Sequence, residues 1–187
     1  MTGSMRSGRR ALGVLLALAS AMPAVAQRYT YQVLHRFAGL PSDGLGFTGT
    51  LVRSPQGKFH GTSGGGGEYD SGSIFEMTPE GAVTLVYSFP GRTAGGPPVG
   101  PLAQDRDDNL YGATLVGGPP PCDRSGSQVY CGVGFKLDTS GVETVLYTFT
   151  GGADGGRPVA GVVRDADGDL YGVTYAGGLG KYRQGTS

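Results

Sequence analysis

A ten-residue motif that occurs three times constrains this chain more than any other feature. The copies are KFHGTSGGGG at Lys58–Gly67, NLYGATLVGG at Asn109–Gly118 and DLYGVTYAGG at Asp169–Gly178. Around the last two, residues 82–118 and 142–178 align without a gap at an offset of 60, and the first copy lies 51 or 52 residues before the second. The unit is therefore about 51 residues, with nine extra residues in unit two, and such a period predicts a row of similar supersecondary units.

Each unit contains four short apolar runs bounded by Gly, Pro, Asp or Ser. In the second unit they are residues 99–104, 109–114, 133–137 and 144–149. Each run is too short for a helix and is rich in the aromatic and β-branched residues that strands prefer. Four antiparallel strands per unit are typical of a propeller blade, whose first strand lines the crowded axis. We therefore predict an all-β, β-propeller-like repeat of four-stranded antiparallel blades, about three units long and incomplete at the C-terminus.

The N-terminal residues have the features of an export signal. Arg6, Arg9 and Arg10 precede an apolar run over 11–21, and small residues end it, which predicts cleavage between Ala26 and Gln27. The predicted divisions are a signal peptide over 1–26, one β-repeat domain over 27–187, an orphan strand over 31–37, unit one over 44–89, unit two over 95–149 and a partial unit three over 155–187. The incomplete third unit favours a fragment of a longer protein over a natural three-unit one.

Charge and hydropathy narrow the classes of partner. Without the signal the net charge is about −3, and no basic stripe remains, so nucleic acid is not an expected partner. No stretch reaches the roughly 18 apolar residues of a membrane helix. The mature chain is expected to be exported, as a periplasmic, cell-surface or extracellular protein.

The motifs GxLYGxTxxGG and FKLDxSGxxTVLYxF resemble the GloVer tandem-repeat family of exported bacterial proteins, also described as "choice-of-anchor" proteins. The resemblance covers nearly all of the mature chain. The first copy departs from the pattern, since Phe59 and His60 stand where Leu-Tyr is expected. The resemblance implies export and a repeat β-fold, and it brings no catalytic residues with it.

The residues that most often carry chemistry have structural explanations here. His35 occupies the repeat column of Tyr87 and Tyr147, and His60 that of Tyr111 and Tyr171, so both are interpreted as structural. Alternating carboxylates at Asp165, Asp167 and Asp169 resemble the start of a calcium loop, but the glycine and glutamate that such a loop needs further on are missing. A solvated turn is favoured. No catalytic residue, metal site or cofactor is predicted.

The two cysteines lie in the inserted loop of unit two. Cys122 and Cys131 have no counterpart in the other units, and in an exported protein two cysteines that bracket one loop predict a disulfide staple. A redox pair is the alternative, but such pairs are more often spaced by two residues.

Long loops distinguish one face of the predicted blades from the other. The loops after strands two and four are long and rich in glycine, whereas the turns after strands one and three are tight. Long loops on a rigid scaffold are where binding residues usually lie. The predicted ligand-binding residues are Tyr69, Asp70, Asp123, Arg124, Tyr130, Asp154 and Arg157.

Two functions remain open at this stage. The favoured one is an exported, non-catalytic repeat protein that binds a glycan, a peptide or an envelope partner. The alternative is a propeller-type hydrolase or lyase acting on extracellular glycan or peptide at the axis, and fold alone does not decide between them. The open edge of the third unit also predicts self-association if the chain is complete.

Overall fold

The computed structural model describes residues 30–39, 44–91, 94–119 and 130–178. The chain divides into two compact units, Met1–Gln32 and Val33–Ser187. Of the first, only residues 30–32 are described, and they have no regular structure. The predicted signal peptide, its cleavage site at Ala26 and Gln27, and Cys122, Asp123 and Arg124 lie outside the described residues.

The second unit consists of short strands. They are β1 (Leu45–Phe47), β2 (Val52–Arg53), β3 (Phe59–Gly65), β4 (Ser73–Met77), β5 (Val83–Ser88), β6 (Gly96–Gln104), β7 (Leu110–Val116), β8 (Val133–Leu137), β9 (Glu143–Thr148), β10 (Gly156–Pro158), β11 (Val163–Arg164), β12 (Leu170–Tyr171) and β13 (Thr174–Ala176). The described part contains essentially no helix. No helix long and apolar enough to cross a membrane is found in it. The all-β prediction is confirmed.

The strands form antiparallel meanders that follow the repeat. In the first sheet β1 and β2 both pair with β3, which is followed by β4 and β5, and in the second sheet the order is β6-β7-β8-β9. The third repeat contributes two two-stranded sheets, β10 with β13 and β11 with β12. None of these sheets closes on itself among the described strands.

Tight turns join consecutive strands as the sequence pattern predicts. Gly81 and Gly141 follow the third strands with φ of 93° and 82°, and Gly168 follows a first strand with φ of 99°. These left-handed conformations favour glycine because it has no Cβ. Asp108 occupies the place of Gly168 in unit two with φ of 62°, a conformation that Asp tolerates better than most residues.

One prediction is wrong: residues 31–37 form no strand. Part of this segment still packs like the end of a preceding unit. The His35 and Phe37 rings meet edge to face at 4.6 Å, as do Tyr87 and Phe89 at 5.0 Å. The repeat columns therefore preserve side-chain packing here, although strand hydrogen bonds are not formed.

The core lies where consecutive units meet. Ile74, Phe89, Leu102, Leu110, Phe135 and Leu137 form one buried cluster. The Phe89 ring, at the end of unit one, packs edge to face on Phe135 of unit two at 5.1 Å. Burial of such an aromatic side chain stabilises the fold by about 1.5–3 kcal/mol. The contact joins neighbouring units, so units one and two stabilise each other.

Candidate functional site

The described ligand-binding residues predicted from sequence lie in or beside the long loops. Tyr69 and Asp70 lie between β3 and β4, Tyr130 directly precedes the short segment before β8, Asp154 lies between β9 and β10, and Arg157 lies on β10. The environments of these side chains differ, and the environment of each one determines what it can bind.

Asp70 and Asp154 have structural partners within their own loops. The Asp70 Oδ1 atom accepts a hydrogen bond from Gly66 N at 2.9 Å. Asp154 accepts hydrogen bonds from Thr150 N at 2.8 Å, from the Tyr147 hydroxyl at 3.0 Å and from the Thr150 hydroxyl. The Thr150 hydrogen bonds hold the pKa of Asp154 below its ordinary value. Both carboxylates are therefore engaged in shaping their loops.

Arg157 presents its side chain to solvent beside an aromatic ring. The guanidinium carbon lies 5.9 Å from the centroid of the Tyr175 ring, within the range of a cation–π contact. Tyr175, on the paired strand β13, is 76% exposed. Arg157 N donates to Cys131 O at 2.6 Å, which ties β10 to the segment that begins with half-buried Tyr130. We call Tyr130, Arg157 and Tyr175 the Arg157 patch.

The residues predicted from sequence include Tyr130 and Arg157 but not Tyr175. A usable signal existed: Tyr175 stands in the repeat column of Gly64 and Leu115, so an aromatic residue there is specific to unit three. Tyr69, by contrast, lines a different groove of about 370 Å³ with Leu85, Tyr87 and Pro90.

The tight-turn side carries an opening to which all three repeats contribute. Its volume is about 680 Å³, and its lining is drawn mainly from equivalent turn positions: Arg53 in unit one, Gln104, Asp105 and Arg106 in unit two, and Arg164 and Asp165 in unit three. We call it the turn-face opening. Equivalent turns of the three units thus lie around one space.

The carboxylates of this opening hold their turns together. Asp105 accepts hydrogen bonds from Asp107 N at 3.0 Å, from Asn109 N at 2.9 Å and from the Tyr111 hydroxyl at 2.9 Å. Burial by itself raises the pKa of Asp105, but hydrogen bonds from Asn109 and Tyr111 more than offset this and lower it. Asp165 repeats the pattern with Asp169 N and the Tyr171 hydroxyl. The carboxylate that opened the calcium-like pattern is therefore a turn acceptor.

His60 lines a polar cavity of about 260 Å³ with Ser54, Lys58, Glu76 and Asp108. Its Nε2 atom lies 3.3 Å from Glu76 Oε2, and Lys58 Nζ lies 2.8 Å from Glu76 Oε1. The His60 Nδ1 atom is buried and has no hydrogen-bond partner among the described residues. Burial lowers the pKa of His60 despite the attraction of Glu76, so the ring is favoured in its neutral form.

Two positions of the repeat pattern differ together in unit one, and this explains the environment of His60. In the other two units the tyrosine of this column donates to the turn aspartate, but unit one has Ser54 where they have Asp105 and Asp165. The Ser54 hydroxyl still accepts the turn hydrogen bond from Lys58 N at 3.2 Å. His60 pairs with Glu76 instead, and this buried position agrees with the structural role predicted for it.

Other candidate chemistry is limited in the described ranges. Within them no three or more His, Cys, Asp or Glu side chains are grouped so that they could hold a metal ion. Cys131 is buried and is not a free thiol. Its proposed partner, Cys122, is outside the described ranges, so the pairing of Cys122 with Cys131 stays a prediction.

Comparison with known families matches residues 4–186 to the family described as the Gloeobacter/Verrucomicrobia repeat. The chain belongs to this family. The resemblance to GloVer repeats inferred from the motifs is thereby confirmed. No curated protein matches the chain.

The residues of this Gloeobacter/Verrucomicrobia repeat protein fall into two groups, those that recur in equivalent units and those that do not. Asp105 and Tyr111 recur in unit three as Asp165 and Tyr171 and make the same hydrogen bonds, so their role belongs to the repeat itself. The residues of the Arg157 patch do not recur in the other units. They are therefore the better candidates for a function specific to this chain.

Proposed function

We propose that this chain is an exported, non-catalytic repeat module that binds a partner through its long-loop face, with the Arg157 patch at the centre of the site. One observation carries the proposal. Arg157 has φ of 55°, a left-handed conformation that is rare for a residue with a Cβ, and its guanidinium lies over the exposed Tyr175 ring. Uncommon backbone conformations of this kind concentrate at functional sites.

The chemistry of the patch indicates the class of ligand. An arginine guanidinium offers a planar fork of donors that matches a carboxylate, and a tyrosine offers a flat surface and a hydroxyl. The proposed partner is therefore a carboxylate-bearing glycan or an acidic peptide of the envelope or the extracellular medium. The two loop aspartates, Asp70 and Asp154, already accept internal hydrogen bonds and play a secondary part.

The proposal includes a propeller-like arrangement of the repeats. Two observations support it. First strands of consecutive units approach at their backbones: a Cβ built on Gly49 would lie 2.5 Å from Gly100 O, and one on Gly100 would lie 2.0 Å from Gly161 N. The turn-face opening is lined by equivalent residues of all three units. Crowded first strands around one opening are what a propeller axis requires.

Export is proposed from the N-terminal pattern of arginines, apolar run and small residues before Gln27. In an oxidising compartment outside the cytoplasm, the proposed Cys122–Cys131 staple would be stable.

The test uses variants of the patch that leave the fold intact. Arg157→Gly removes the guanidinium and suits the left-handed backbone, so stability should be kept or increased. The unaltered protein should select carboxylate-bearing glycans or acidic peptides from an array. Arg157→Gly and Tyr175→Ala should each weaken that binding at least tenfold, which corresponds to about 1.4 kcal/mol.

Arg106→Ala, on the turn face, is the matched control and should bind as the unaltered chain does. Arg157→Lys tests geometry, since it keeps the charge without the planar fork, and it should bind more weakly than the unaltered protein. If Arg106→Ala and Arg157→Gly weakened binding equally, the binding site would have to include the turn face. Turnover of an array glycan or peptide by the unaltered protein would favour the hydrolase or lyase alternative.

A further inference from the structure

The polar cavity that contains His60 lies between units one and two on the tight-turn face. Unit one lines it from the turn between β2 and β3 and from β3 and β4, and unit two lines it from the turns that follow β6 and β8. We call it the His60 cavity. Its volume of about 260 Å³ is just below the roughly 300–1,000 Å³ of pockets for drug-sized ligands, so it has the size for a smaller molecule.

Shorter side chains in unit one leave room for the His60 cavity. At the equivalent positions of unit two, the Tyr111 hydroxyl donates to Asp105 Oδ2 at 2.9 Å. Ser54 and His60 stand there in unit one, and both side chains are shorter than their counterparts. The His60 ring is directed to Glu76 instead, with Nε2 at 3.3 Å from Oε2.

One ring nitrogen of His60 lacks a protein partner. The side chain is 9% exposed, and its pairing with Glu76 uses Nε2. Burial lowers the pKa of His60, so the ring is neutral at pH 7, and with the proton on Nε2 the Nδ1 atom is an acceptor. No described residue donates to Nδ1. Buried polar atoms in native proteins are nearly always paired with protein, water or a bound molecule, so a donor is expected here.

The lining of the cavity has an excess of negative charge. Lys58 neutralises Glu76, with Nζ at 2.8 Å from Oε1, and Asp108 and Asp138 are two further carboxylates in the lining. The described hydrogen bonds engage one oxygen of each. Gln104 Nε2 donates to Asp108 Oδ1 at 3.1 Å, and the turn that begins at Asp138 donates only to Oδ1 of that residue. A cationic donor group would complement this lining.

The charges of the cavity are specific to the junction of units one and two. At the equivalent positions one unit later each charge is removed or reversed: Asn109 for Lys58, Lys136 for Glu76 and Gly168 for Asp108. Within the described ranges no three His, Cys, Asp or Glu side chains are grouped so that they could hold a metal ion. A ligand that reaches several of these groups must therefore be larger than a metal ion.

We propose that the His60 cavity binds an amino sugar, whose ammonium group pairs with Asp108 and whose hydroxyl groups donate to His60 Nδ1 and bond to Ser54. A carboxylate pairs with an ammonium group through charge-assisted hydrogen bonds, and the neutral acceptor at His60 takes a hydroxyl. The site uses no residue of the Arg157 patch and does not depend on the function proposed for that patch.

Glucosamine is the probe, titrated into the nitrogen-labelled protein at about pH 7, where a histidine with a lowered pKa is neutral, and followed by NMR. Backbone resonances of Lys58, His60 and Asp108 should shift, and so should the Nδ1 resonance of His60, one of the 2 histidines of the chain. Glucose has a hydroxyl in place of the ammonium group, and ethanolamine has both groups but no ring. Each should bind at least tenfold more weakly than glucosamine.

Asp108→Asn removes one charge of the cavity and keeps the size of the side chain. Asn tolerates the left-handed φ of 62° at this position as Asp does, so the melting temperature should be unchanged, whereas glucosamine should bind at least tenfold more weakly. Asp107→Asn is the matched control, because it removes the same charge from an exposed neighbour that does not line the cavity. It should bind glucosamine normally.

The proposal is overturned if glucosamine at millimolar concentration shifts no resonance of the His60 cavity. Equal binding of glucose would refute the pairing of the ammonium group, and equal binding of ethanolamine would refute the sugar ring as the ligand. An unmoved Nδ1 resonance would refute the part assigned to His60. Equal losses from Asp108→Asn and Asp107→Asn would show that glucosamine is attracted by the charge of the chain and not bound in the cavity.

Discussion

Gly112, on the second strand of unit two, lies against Phe135 of the third strand. We therefore predict that a Gly→Ala substitution has opposite effects at Gly112 and at its repeat equivalent, Gly172. A Cβ on Gly112 would lie 2.6 Å from Phe135 Cζ and 2.9 Å from Leu102 Cδ2. Favourable carbon contacts lie at about 3.5–4.0 Å. The Phe135 side chain is fully buried, so it has little freedom to move away. We expect Gly112→Ala to destabilise the fold by about 1–3 kcal/mol, the usual cost of overpacking.

The same change at Gly172 meets no such overlap. The nearest described atom to a Cβ there lies at 3.6 Å, an ordinary contact distance. Replacing glycine by alanine without strain stabilises a protein by about 0.4–1 kcal/mol, because the unfolded chain loses conformational freedom. Gly172→Ala should therefore be neutral or stabilising, because no described phenylalanine ring lies against Gly172 as Phe135 lies against Gly112.

Urea denaturation followed by far-UV circular dichroism and tyrosine fluorescence measures both variants, since the chain has 10 tyrosines and no tryptophan. A loss of 1 kcal/mol lowers the melting temperature of a chain of this size by about 2–4 °C. Phe135→Leu, which lacks the atom nearest to the added methyl group, should cost less in the Gly112→Ala background than alone. Equal effects of Gly112→Ala and Gly172→Ala would refute the reasoning.

Two further predictions concern pH. The hydrogen bonds that lower the pKa of Asp105, against the opposing effect of its burial, stabilise the fold above about pH 4, and this stability is lost as the pH falls through the lowered pKa. Tyr111→Phe removes one of these hydrogen bonds, so its urea midpoint should fall less between about pH 5 and pH 2 than that of the unaltered protein; an identical decline would contradict the assignment. The lowered pKa of buried His60 makes the unfolded chain bind the proton more readily, so stability should fall as the pH drops below about 6.5. In the His60→Phe variant the urea midpoint should change less with pH over that range. An unchanged dependence on pH would mean that His60 is not the group responsible.

Much of the secondary structure could be predicted from local pattern. Residues 133–137 were predicted as a strand and form β8, and the tight turns at Gly141 and Gly168 have the left-handed conformations that glycine favours. These features depend on residues close together in the chain. The orphan strand over 31–37 was not correct, because a strand also needs a paired edge, and that edge is supplied by residues far away in the sequence.

The candidate site was predictable only in part. The loops that carry Tyr130 and Arg157 follow from the repeat alignment, but the contact of Arg157 with Tyr175 requires the antiparallel pairing of β10 with β13. Asp70 and Asp154 were expected to bind a ligand, whereas their carboxylates accept hydrogen bonds within their loops. Asp123 and Arg124 lie outside the described residues, and their role stays a prediction.

The repeat, its all-β character and the equivalence of positions follow from the amino-acid sequence, because strand runs and turn residues act over a few neighbours. Whether an aromatic ring covers each glycine of a repeat column depends on the folded chain. Gly61, Gly112 and Gly172 are one residue type in one column, yet a phenylalanine covers the first two and no described ring covers the third. That difference depends on which strand packs beside each glycine, and packing partners far apart in sequence are set by the folded chain.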